Sequence, residues 1–488
     1  MPIELKTIVL FSRCELVHLY GQISKYLCAE YSIIHLAYSD DEELILRQKY
    51  NVKEVINFSK EVFKIFENEK MDNDLCNLID NLIIKNSNNR FSLNSSIQSD
   101  RTFEYLTYNE CLVFCQTYYK FWNEFLLSWK IDYLLHEPNS LFFNQIASIL
   151  CRVYKANYIT QIQVYGIEKL NFLIVSSDDS LSSEITNYQL NCQLSTEERE
   201  RVRLFLDGFR ASYSTFFSTY SKKRDTFMLL LLESAKILRI TLKNRFRRLS
   251  FRKDTIDPLK KFFLNDFSFI SEIRKKWSSY FLLKYDIYNK DLKYYYYPIH
   301  LEPESVVLYW GDGIYKNQVK LIENIAAQLP PNCYLFVKDH PHAGTYRDFI
   351  DYSKIKAIPN VRLLNPGISG KTIIKNCIGL ITINGTSGFE ALLLNKQVYT
   401  FGNSYYNQCP RVNFILNIRD LRRSIYTNIN KSYEDDETLF NFVSSYLKST
   451  HPGFTDYFSN YVKLLGINEE ANAHIVAKGL IEFFQKLI

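Results

Sequence analysis

The chain has 488 residues, of which 47% are hydrophobic and 23% are charged. This composition excludes an intrinsically disordered protein, and the length exceeds what one hydrophobic core normally organises, so we expect two or more domains. The formal net charge of +6 is too weak by itself to indicate nucleic-acid binding.

Tyrosine is unusually frequent, with 36 residues, and we expect most of these side chains to be half-buried at the surface. Ten scattered cysteines contain no Cys-x-x-Cys pair, which favours free thiols in a reducing cytosol over a disulfide framework or structural zinc. No secretory signal precedes the first strand pattern, and the longest apolar run, Phe227 to Leu232, is too short to span a bilayer. We therefore expect a cytoplasmic protein.

Strand-like and helix-like segments alternate over residues 1–175. Buried strands are predicted at Thr7–Phe11, Ser32–Ala37 and Ile131–Leu135, with helices between them. This βαβ rhythm is typical of an open, parallel, doubly wound sheet. A glycine-rich dinucleotide fingerprint is absent after the first strand, so a Rossmann dehydrogenase is not supported.

A helical and basic connector is expected over residues 176–293. Within it, residues 236–261 hold ten Lys or Arg against two Asp, with apolar residues between them. Such a segment suits an anionic membrane surface. A solvated helix or flexible connector between domains fits equally well, and nucleic-acid binding is the poorest of the three interpretations.

A second βα rhythm follows over residues 294–465, including a predicted strand at Val306–Trp310. The last segment, 466–488, is predicted to be a helix that crosses back to the N-terminal domain. Two Rossmann-like domains facing across a cleft, with a helical insertion and C-terminal helices, form the layout of a GT-B-like α/β fold.

Two motifs of the second domain point to a bound phosphate. His340 lies at the end of a strand, where Pro341 fixes the chain, so its imidazole could donate to a phosphate oxygen or protonate a leaving group. About forty residues later, the turn Gly385-Thr-Ser-Gly388 precedes a helix, where amides and hydroxyls can bind phosphate. Thr386 or Ser387 also fits an ordinary N-cap, with Glu390 completing a capping box.

Carboxylates near strand ends are candidates for chemistry. Glu304, close to His300 at the entry of the second domain, is placed to bind sugar hydroxyls or to act as a base. An interdomain hinge with solvated acids is the alternative. Glu137 ends a buried strand of the first domain, and we predict it to be the acceptor-side carboxylate.

The second half of the chain resembles the capsule polysaccharide biosynthesis family, which includes Kdo-transferase-like GT-B enzymes of bacterial capsule and lipopolysaccharide assembly. The resemblance covers about residues 295–410 and rests on the motifs around His300, His340 and Asn384-Gly-Thr-Ser-Gly-Phe-Glu390. Glu302 stands where the family often has Gln, which we expect to alter donor contacts. Asp339 stands where the family often has Glu.

The resemblance implies that His340 and the Gly385 turn hold a donor phosphate and that Glu390 anchors the nucleotide ribose. No cofactor or metal is implied, since no acidic pair has a metal-binding spacing in the donor motifs, and basic and dipolar groups would stabilise the leaving phosphate. The predicted catalytic residues are Glu137, Glu304 and His340. The predicted donor-binding residues are His300, Lys338, Pro341, Asn384, Gly385, Thr386, Ser387, Gly388 and Glu390.

The preferred function is transfer of a sugar from a nucleotide-sugar, with a CMP-activated acidic sugar favoured, to a growing or lipid-linked bacterial surface polysaccharide at the inner face of the membrane. The first alternative is a CDP-polyol phosphotransferase of the teichoic-acid type. The second is a non-catalytic component of a polysaccharide assembly complex, which would bind no nucleotide.

Overall fold

The computed structural model describes residues 5–103, 106–166, 170–176, 180–190, 193–211, 231–232, 234–235, 238–239, 274, 277–278, 281–302, 305–311, 313–340, 347–456 and 459–486. The chain divides into two compact units. Unit 1 consists of residues 1–191 and 445–488, and unit 2 of residues 192–444.

Unit 1 is built on a seven-stranded sheet. Its strands are β1 (Thr7–Ser12), β2 (Ser32–Ala37), β3 (Val55–Asn57), β4 (Tyr133–Leu135), β5 (Asn157–Val164), β6 (Asn171–Val175) and β13 (His451–Pro452). The order is β13-β6-β5-β4-β1-β2-β3, with β1 to β5 parallel and β6 and β13 antiparallel to their neighbours.

The helices of unit 1 pack on this sheet or on one another through apolar residues that recur at helical spacing. They are α1 (Leu16–Leu27), α2 (Asp40–Tyr50), α3 (Phe58–Phe66), α4 (Asn73–Asn86), α5 (Leu93–Ser99), α6 (Tyr108–Ser128), α7 (Phe142–Val153), α8 (Ser183–Leu190), α16 (Ser459–Leu464) and α17 (Glu469–Lys486). Phe11 of β1 lies in an aromatic cluster with Phe58, Trp122 and Phe143. These large rings supply much of the apolar area that unit 1 buries.

Unit 2 is built on a six-stranded sheet in which every pair is parallel. Its strands are β7 (Tyr294–Pro298), β8 (Tyr334–Lys338), β9 (Val361–Leu364), β10 (Gly379–Thr382), β11 (Gln397–Thr400) and β12 (Val412–Phe414). The order is β12-β11-β10-β7-β8-β9. The chain therefore moves outward from β7 to β9, returns to place β10 beside β7, and moves outward on the other side.

The helices of unit 2 lie before, between and after these strands in the sequence. They are α9 (Thr196–Ala211), α10 (Gln318–Ala326), α11 (Phe349–Lys356), α12 (Gly370–Asn376), α13 (Thr386–Leu393), α14 (Ile418–Asn428) and α15 (Glu437–Ser449), the last of which runs into unit 1. The hydroxyl of Tyr294 donates to Ile373 of α12, and that of Tyr297 donates to Gln318 of α10. Alternate residues of β7 thus face helices on opposite sides of the sheet.

The expectation of half-buried tyrosines is wrong for β7, where Tyr294 to Tyr297 are all at most 1% exposed. A central parallel strand is covered by helices on both faces, so each tyrosine ring fills a core position. The ring itself is apolar, and only the hydroxyl group at its end needs a hydrogen-bond partner. The rings of Tyr294 and Phe336 stack with centroids 3.9 Å apart.

The predicted strand at Val306–Trp310 is also wrong, because this segment is a π-helical turn. A short apolar run cannot be distinguished from a buried helical turn by periodicity alone. Gly311 ends the turn where a side chain would not fit, since a Cβ there would lie 2.8 Å from Ile383.

Each unit is a Rossmann-like α/β layer structure, which confirms the predicted α/β class with two Rossmann-like domains. Most of the basic segment 236–261 lies outside the described residues, and the domain limits set from the sequence, 1–175, 176–293, 294–465 and 466–488, stay a prediction. No helix among the described residues is both long and apolar enough to cross a bilayer.

Gly453 should be essential for the stability of unit 1. Its φ is +127°, and an added Cβ would lie 2.5 Å from Val476 of α17. We expect Gly453→Ala to lower the free energy of unfolding by about 2 kcal/mol or more, through backbone strain and overpacking. Calorimetric unfolding would measure this.

Gly208 of α9 is the matched control, since a Cβ there meets no atom within 4 Å. Gly208→Ala should be neutral or stabilise by up to about 1 kcal/mol, because alanine has the higher helix propensity. Equal unfolding temperatures for the two variants would contradict the assignment of Gly453.

Candidate functional site

The carboxyl ends of β7 and β10 mark the point in unit 2 where the strand order reverses. Parallel α/β sheets bind ligands at such a point, since neighbouring loops leave it in opposite directions. His300 follows β7, and its Nε2 lies 3.1 Å from Oγ1 of Thr382, the last residue of β10. The structure therefore joins the His300 motif to the glycine-rich turn directly.

The hydrogen-bond partners of Thr382 define the state of the His300 ring. The Thr382 hydroxyl donates to the carbonyl of Asn384 at 2.5 Å, so its oxygen accepts the proton on Nε2 of His300. Burial, reinforced by the positive charges of His340 and Arg347, lowers the pKa of His300 to about 3. His300 is therefore a neutral support for the turn.

The turn after β10 opens α13 without a side-chain cap. The N-cap is Gly385, whose φ of +99° suits glycine, and Thr386 and Ser387 already lie within the helix. The capping-box interpretation of Thr386, Ser387 and Glu390 is therefore wrong. The first amides of α13 keep the partial positive charge that favours an anion.

Neighbouring side chains hold this turn in place. The side chain of Asn384 accepts from the amide of Gly385 and donates to the carbonyl of Asn403. Tyr406 donates to the carbonyl of Gly385 at 2.9 Å. Gly388 is required beside it, since a Cβ at this position would lie 2.3 Å from the Tyr406 hydroxyl.

His340 follows β8, which is the neighbour of β7. Its backbone amide donates to Oδ1 of Asp339 at 2.7 Å, and Oδ2 of Asp339 accepts from Tyr352 at 2.6 Å. His340 lies close enough to His300 for its charge to lower the pKa of that ring. Pro341 and Glu304 lie outside the described residues, so their roles stay predictions.

Both carboxylate oxygens of Glu302 bind other side chains of the protein. Its Oε1 accepts from the side chain of Gln318 at 2.6 Å, and its Oε2 pairs with Arg347 at 2.7 Å. Gln318 also accepts from the amide of His300 and donates to its carbonyl. The expectation that Glu302 alters donor contacts stays a prediction. Within the protein, Glu302 binds Gln318 and Arg347, which both contact His300.

A second group of charges comprises Glu390, Lys338 and Lys371. Burial raises the pKa of Glu390 to about 7, although the ammonium groups of Lys371 and Lys338 act in the opposite direction. Lys338 donates to the carbonyl of Pro366 at 3.4 Å, and Lys371 to the carbonyl of Phe209 at the end of α9. A carboxyl group that titrates near neutrality in a polar site is a candidate for ligand binding.

Glu137 lies in unit 1 at the corresponding reversal of strand order, between β1 and β4. Its Oε1 accepts from Arg13 at 2.5 Å, from Ser140 at 2.7 Å and from Asn144 at 3.2 Å. Although burial opposes ionisation, the guanidinium of Arg13 holds the pKa of Glu137 at about 2. Glu137 is therefore a firmly ionised carboxylate near the N-terminus of α7.

The structure brings the predicted residues of unit 2 into two groups. His300, His340 and the turn from Asn384 to Gly388 form one, and Lys338 and Glu390 form the other. The sequence does not predict Arg347 and Arg13, which donate to His300 and Glu137, or Lys371, whose charge acts on Glu390. Only Arg13 has a local signal, because it directly follows a buried strand.

Comparisons with known proteins match the part of the chain that carries these motifs. The family model described as "Capsule polysaccharide biosynthesis protein" matches residues 265–409. Protein FixF of Sinorhizobium fredii is 36% identical over 98 residues, and the match covers 20% of this chain and 23% of FixF. The chain therefore matches less than a quarter of the length of that relative.

Solved structures show more distant likenesses. Thermosulfurimonas dismutans KpsC, a beta Kdo 2,4 transferase, has 12% identity and a TM-score of 0.38, over 66% of this chain and 82% of that one. The S. aureus MnaA–UDP co-structure has 10% identity and a TM-score of 0.27, over 99% of this chain and 98% of that one. At such scores, the sequence match is the stronger finding. The family model covers the segment that carries the His300, His340 and Gly385 motifs, which confirms the resemblance predicted from the sequence.

Proposed function

We propose that this protein is a nucleotide-sugar-dependent glycosyltransferase of bacterial surface polysaccharide synthesis, and that unit 2 binds the donor. The observation that carries the proposal is the uncapped N-terminus of α13 beside His300, at the reversal point of a parallel sheet. This geometry favours a phosphate. The family match over residues 265–409 supports polysaccharide synthesis as the setting.

The donor phosphate would lie against the first amides of α13, with His340 as a hydrogen-bond donor. His300 adds no positive charge, since its ring is neutral, and it supports Gly385, where an added Cβ would lie 3.3 Å from Cε1 of the ring. As the bond to the sugar breaks, these dipoles stabilise the charge that develops on the leaving phosphate. No metal or cofactor is required by this scheme.

Glu390 would bind the ribose of the nucleotide. When ionised, its carboxylate accepts hydrogen bonds from hydroxyl groups, and these bonds are stronger than those between neutral groups. Lys371 and Lys338 favour that ionised form. A CMP-activated acidic sugar remains the favoured donor.

Glu137 would bind the acceptor hydroxyl in unit 1. Among the described residues, its three hydrogen-bond donors all reach Oε1, which leaves Oε2 for a substrate. A carboxylate with such a low pKa is a weak base, so it would orient the hydroxyl and take the proton only as the new bond forms. The acceptor would be a growing or lipid-linked glycan, with the protein working at the inner face of the membrane.

A matching nucleotide should stabilise the protein against heat. At about 100 times its Kd a ligand adds about 2.7 kcal/mol to the free energy of unfolding, so one of CMP, CDP, UDP and GDP should raise the unfolding temperature. His340→Ala should weaken this nucleotide's affinity about tenfold, because a hydrogen bond to a charged phosphate is lost. His474→Ala, on the exposed side of α17, is the control and should leave affinity unchanged.

Stabilisation by none of these nucleotides would contradict the donor-site proposal and favour a non-catalytic role. Products of turnover distinguish the remaining alternatives. A glycosyltransferase transfers the sugar to the acceptor and releases the nucleotide, whereas a CDP-polyol phosphotransferase transfers the polyol phosphate to the acceptor and releases CMP.

Nucleotide affinity should depend on the ionisation of Glu390. Since its pKa is about 7, the carboxylate form increases as the pH rises through this value, and affinity should increase between about pH 6 and pH 8. Glu390→Gln cannot ionise and should remove this part of the pH dependence. Nucleotide affinity is measured by calorimetry for both proteins as a function of pH. The ionisation of the phosphate affects both proteins equally, so the difference between the two pH profiles reports Glu390. Parallel profiles would exclude the proposed ribose contact.

Loss of the Glu137 carboxylate should affect turnover more than donor binding. We expect Glu137→Gln to reduce kcat by about 100-fold or more, because the acceptor hydroxyl loses its proton acceptor. Nucleotide affinity should stay within about twofold of the unmodified protein, since Glu137 belongs to unit 1. A kcat that changes less than about fivefold would remove Glu137 from the mechanism.

A further inference from the structure

Arg347 is a buried cation whose contacts connect the two loops that carry His300 and His340. It is 5% exposed, and each of its three guanidinium nitrogens has a different partner. Nη2 donates to the carbonyl of His300 at 2.9 Å, Nη1 to Oε2 of Glu302 at 2.7 Å, and Nε to Oδ2 of Asp339 at 3.2 Å. The rigid, planar guanidinium group of Arg347 therefore connects the segment after β7 to the segment after β8.

The partners of Arg347 are themselves fixed. Asp339 also accepts from the amide of His340 and from the hydroxyl of Tyr352, and Glu302 also accepts from Gln318. Although burial opposes the charge of Arg347, Asp339 and Glu302 more than compensate and raise its pKa. The guanidinium is therefore charged at any pH at which the protein folds.

Stability alone does not explain this arrangement. Replacing a buried ion pair or triad by well-packed apolar residues is often neutral or stabilising, since the desolvation of the charges offsets their attraction. An apolar cluster, however, has no directional bonds to a main-chain carbonyl and to two separate carboxylates. What Arg347 supplies is a fixed distance between two peptide segments.

We propose that Arg347 is a positioning residue of the donor site. It sets the spacing between the segments that carry His300 and His340, so that His340 and the turn supported by His300 reach one phosphate together. This inference rests on the proposed function for its ligand, but the geometry of the two histidines does not depend on any nucleotide. A lysine in place of Arg347 keeps the charge and loses the fork, so it cannot hold all three partners.

The test compares Arg347→Lys with Arg411→Lys in the full chain. Arg411 is also a buried arginine of unit 2, 6% exposed, and pairs with Asp436 at 2.7 Å. Both variants should lose similar amounts of thermal stability. Calorimetric titration with the nucleotide that stabilises the unmodified protein should show an affinity about 10- to 100-fold weaker for Arg347→Lys only, because small misplacements of binding groups are costly.

Imidazole signals of selectively labelled histidine give a second measurement that needs no ligand. The signals of His300 and His340, assigned by single substitutions, should shift in Arg347→Lys and stay in place in Arg411→Lys. Unmoved signals with affinity within about twofold of the unmodified protein would overturn the proposal. Equal losses of affinity in both variants would also overturn it, because general destabilisation would then suffice.

Two further outcomes, failure of nucleotide binding and failure of the variant to fold, can be distinguished from failure of the proposal. If the unmodified protein binds none of the nucleotides, the proposed function fails, and the histidine signals alone decide the role of Arg347. If Arg347→Lys does not fold, Glu302→Gln replaces it, since a neutral amide keeps the size of the side chain and weakens the ion pair that holds Arg347. A shift of both histidine signals in Glu302→Gln supports the proposal, and its absence overturns it.

Discussion

The reversal of strand order between β7 and β10 is the constraint on which the candidate site depends. Parallel strands all present their carboxyl ends at one edge, and only at the reversal do neighbouring loops diverge and leave room for a ligand. His300 and Thr382 lie at the ends of these two strands, and their hydrogen bond closes the base of the site. In unit 1 the same topology places Arg13 and Glu137 together at the ends of β1 and β4.

The two units use buried charge differently at these points. Oε1 of Glu137 accepts three hydrogen bonds, and the pKa of this carboxyl group is about 2, so Glu137 stays ionised near neutral pH. Glu390 of unit 2 lies between the opposing effects of burial and of two lysines, so its state changes near neutral pH. The difference follows from distance: Arg13 makes a direct hydrogen bond with its carboxylate, whereas Lys371 and Lys338 act on Glu390 through space and donate to backbone carbonyls.

The sequence predicts features that are local and misses those that depend on tertiary contacts. Strand periodicity followed by a polar turn identifies His340 and the turn after β10, because both lie at strand ends. Arg347 has no such signal, since its three partners come from two other loops and only the folded chain brings them together. The burial of the four tyrosines of β7 also depends on tertiary contacts, because the helices that cover a strand decide how deeply it is buried. A run of five apolar residues at Val306–Trp310 is equally compatible with a strand and a buried turn, and only the folded structure shows that the turn forms.

The division of unit 1 into two separated parts of the chain has a consequence for synthesis. Helix α17 packs against α1, with Gln22 bound to Glu469, and Phe484 stacks on Tyr133 of β4 with ring centroids 4.4 Å apart. During translation these surfaces of the first 191 residues stay uncovered until residues 469–486 leave the ribosome. Unit 2, by contrast, is a continuous segment and can fold as it emerges. The sheet of unit 1 is therefore begun before unit 2 is made and covered after it, and until then the apolar surface of α1 and β4 that α17 buries is open to misfolding contacts.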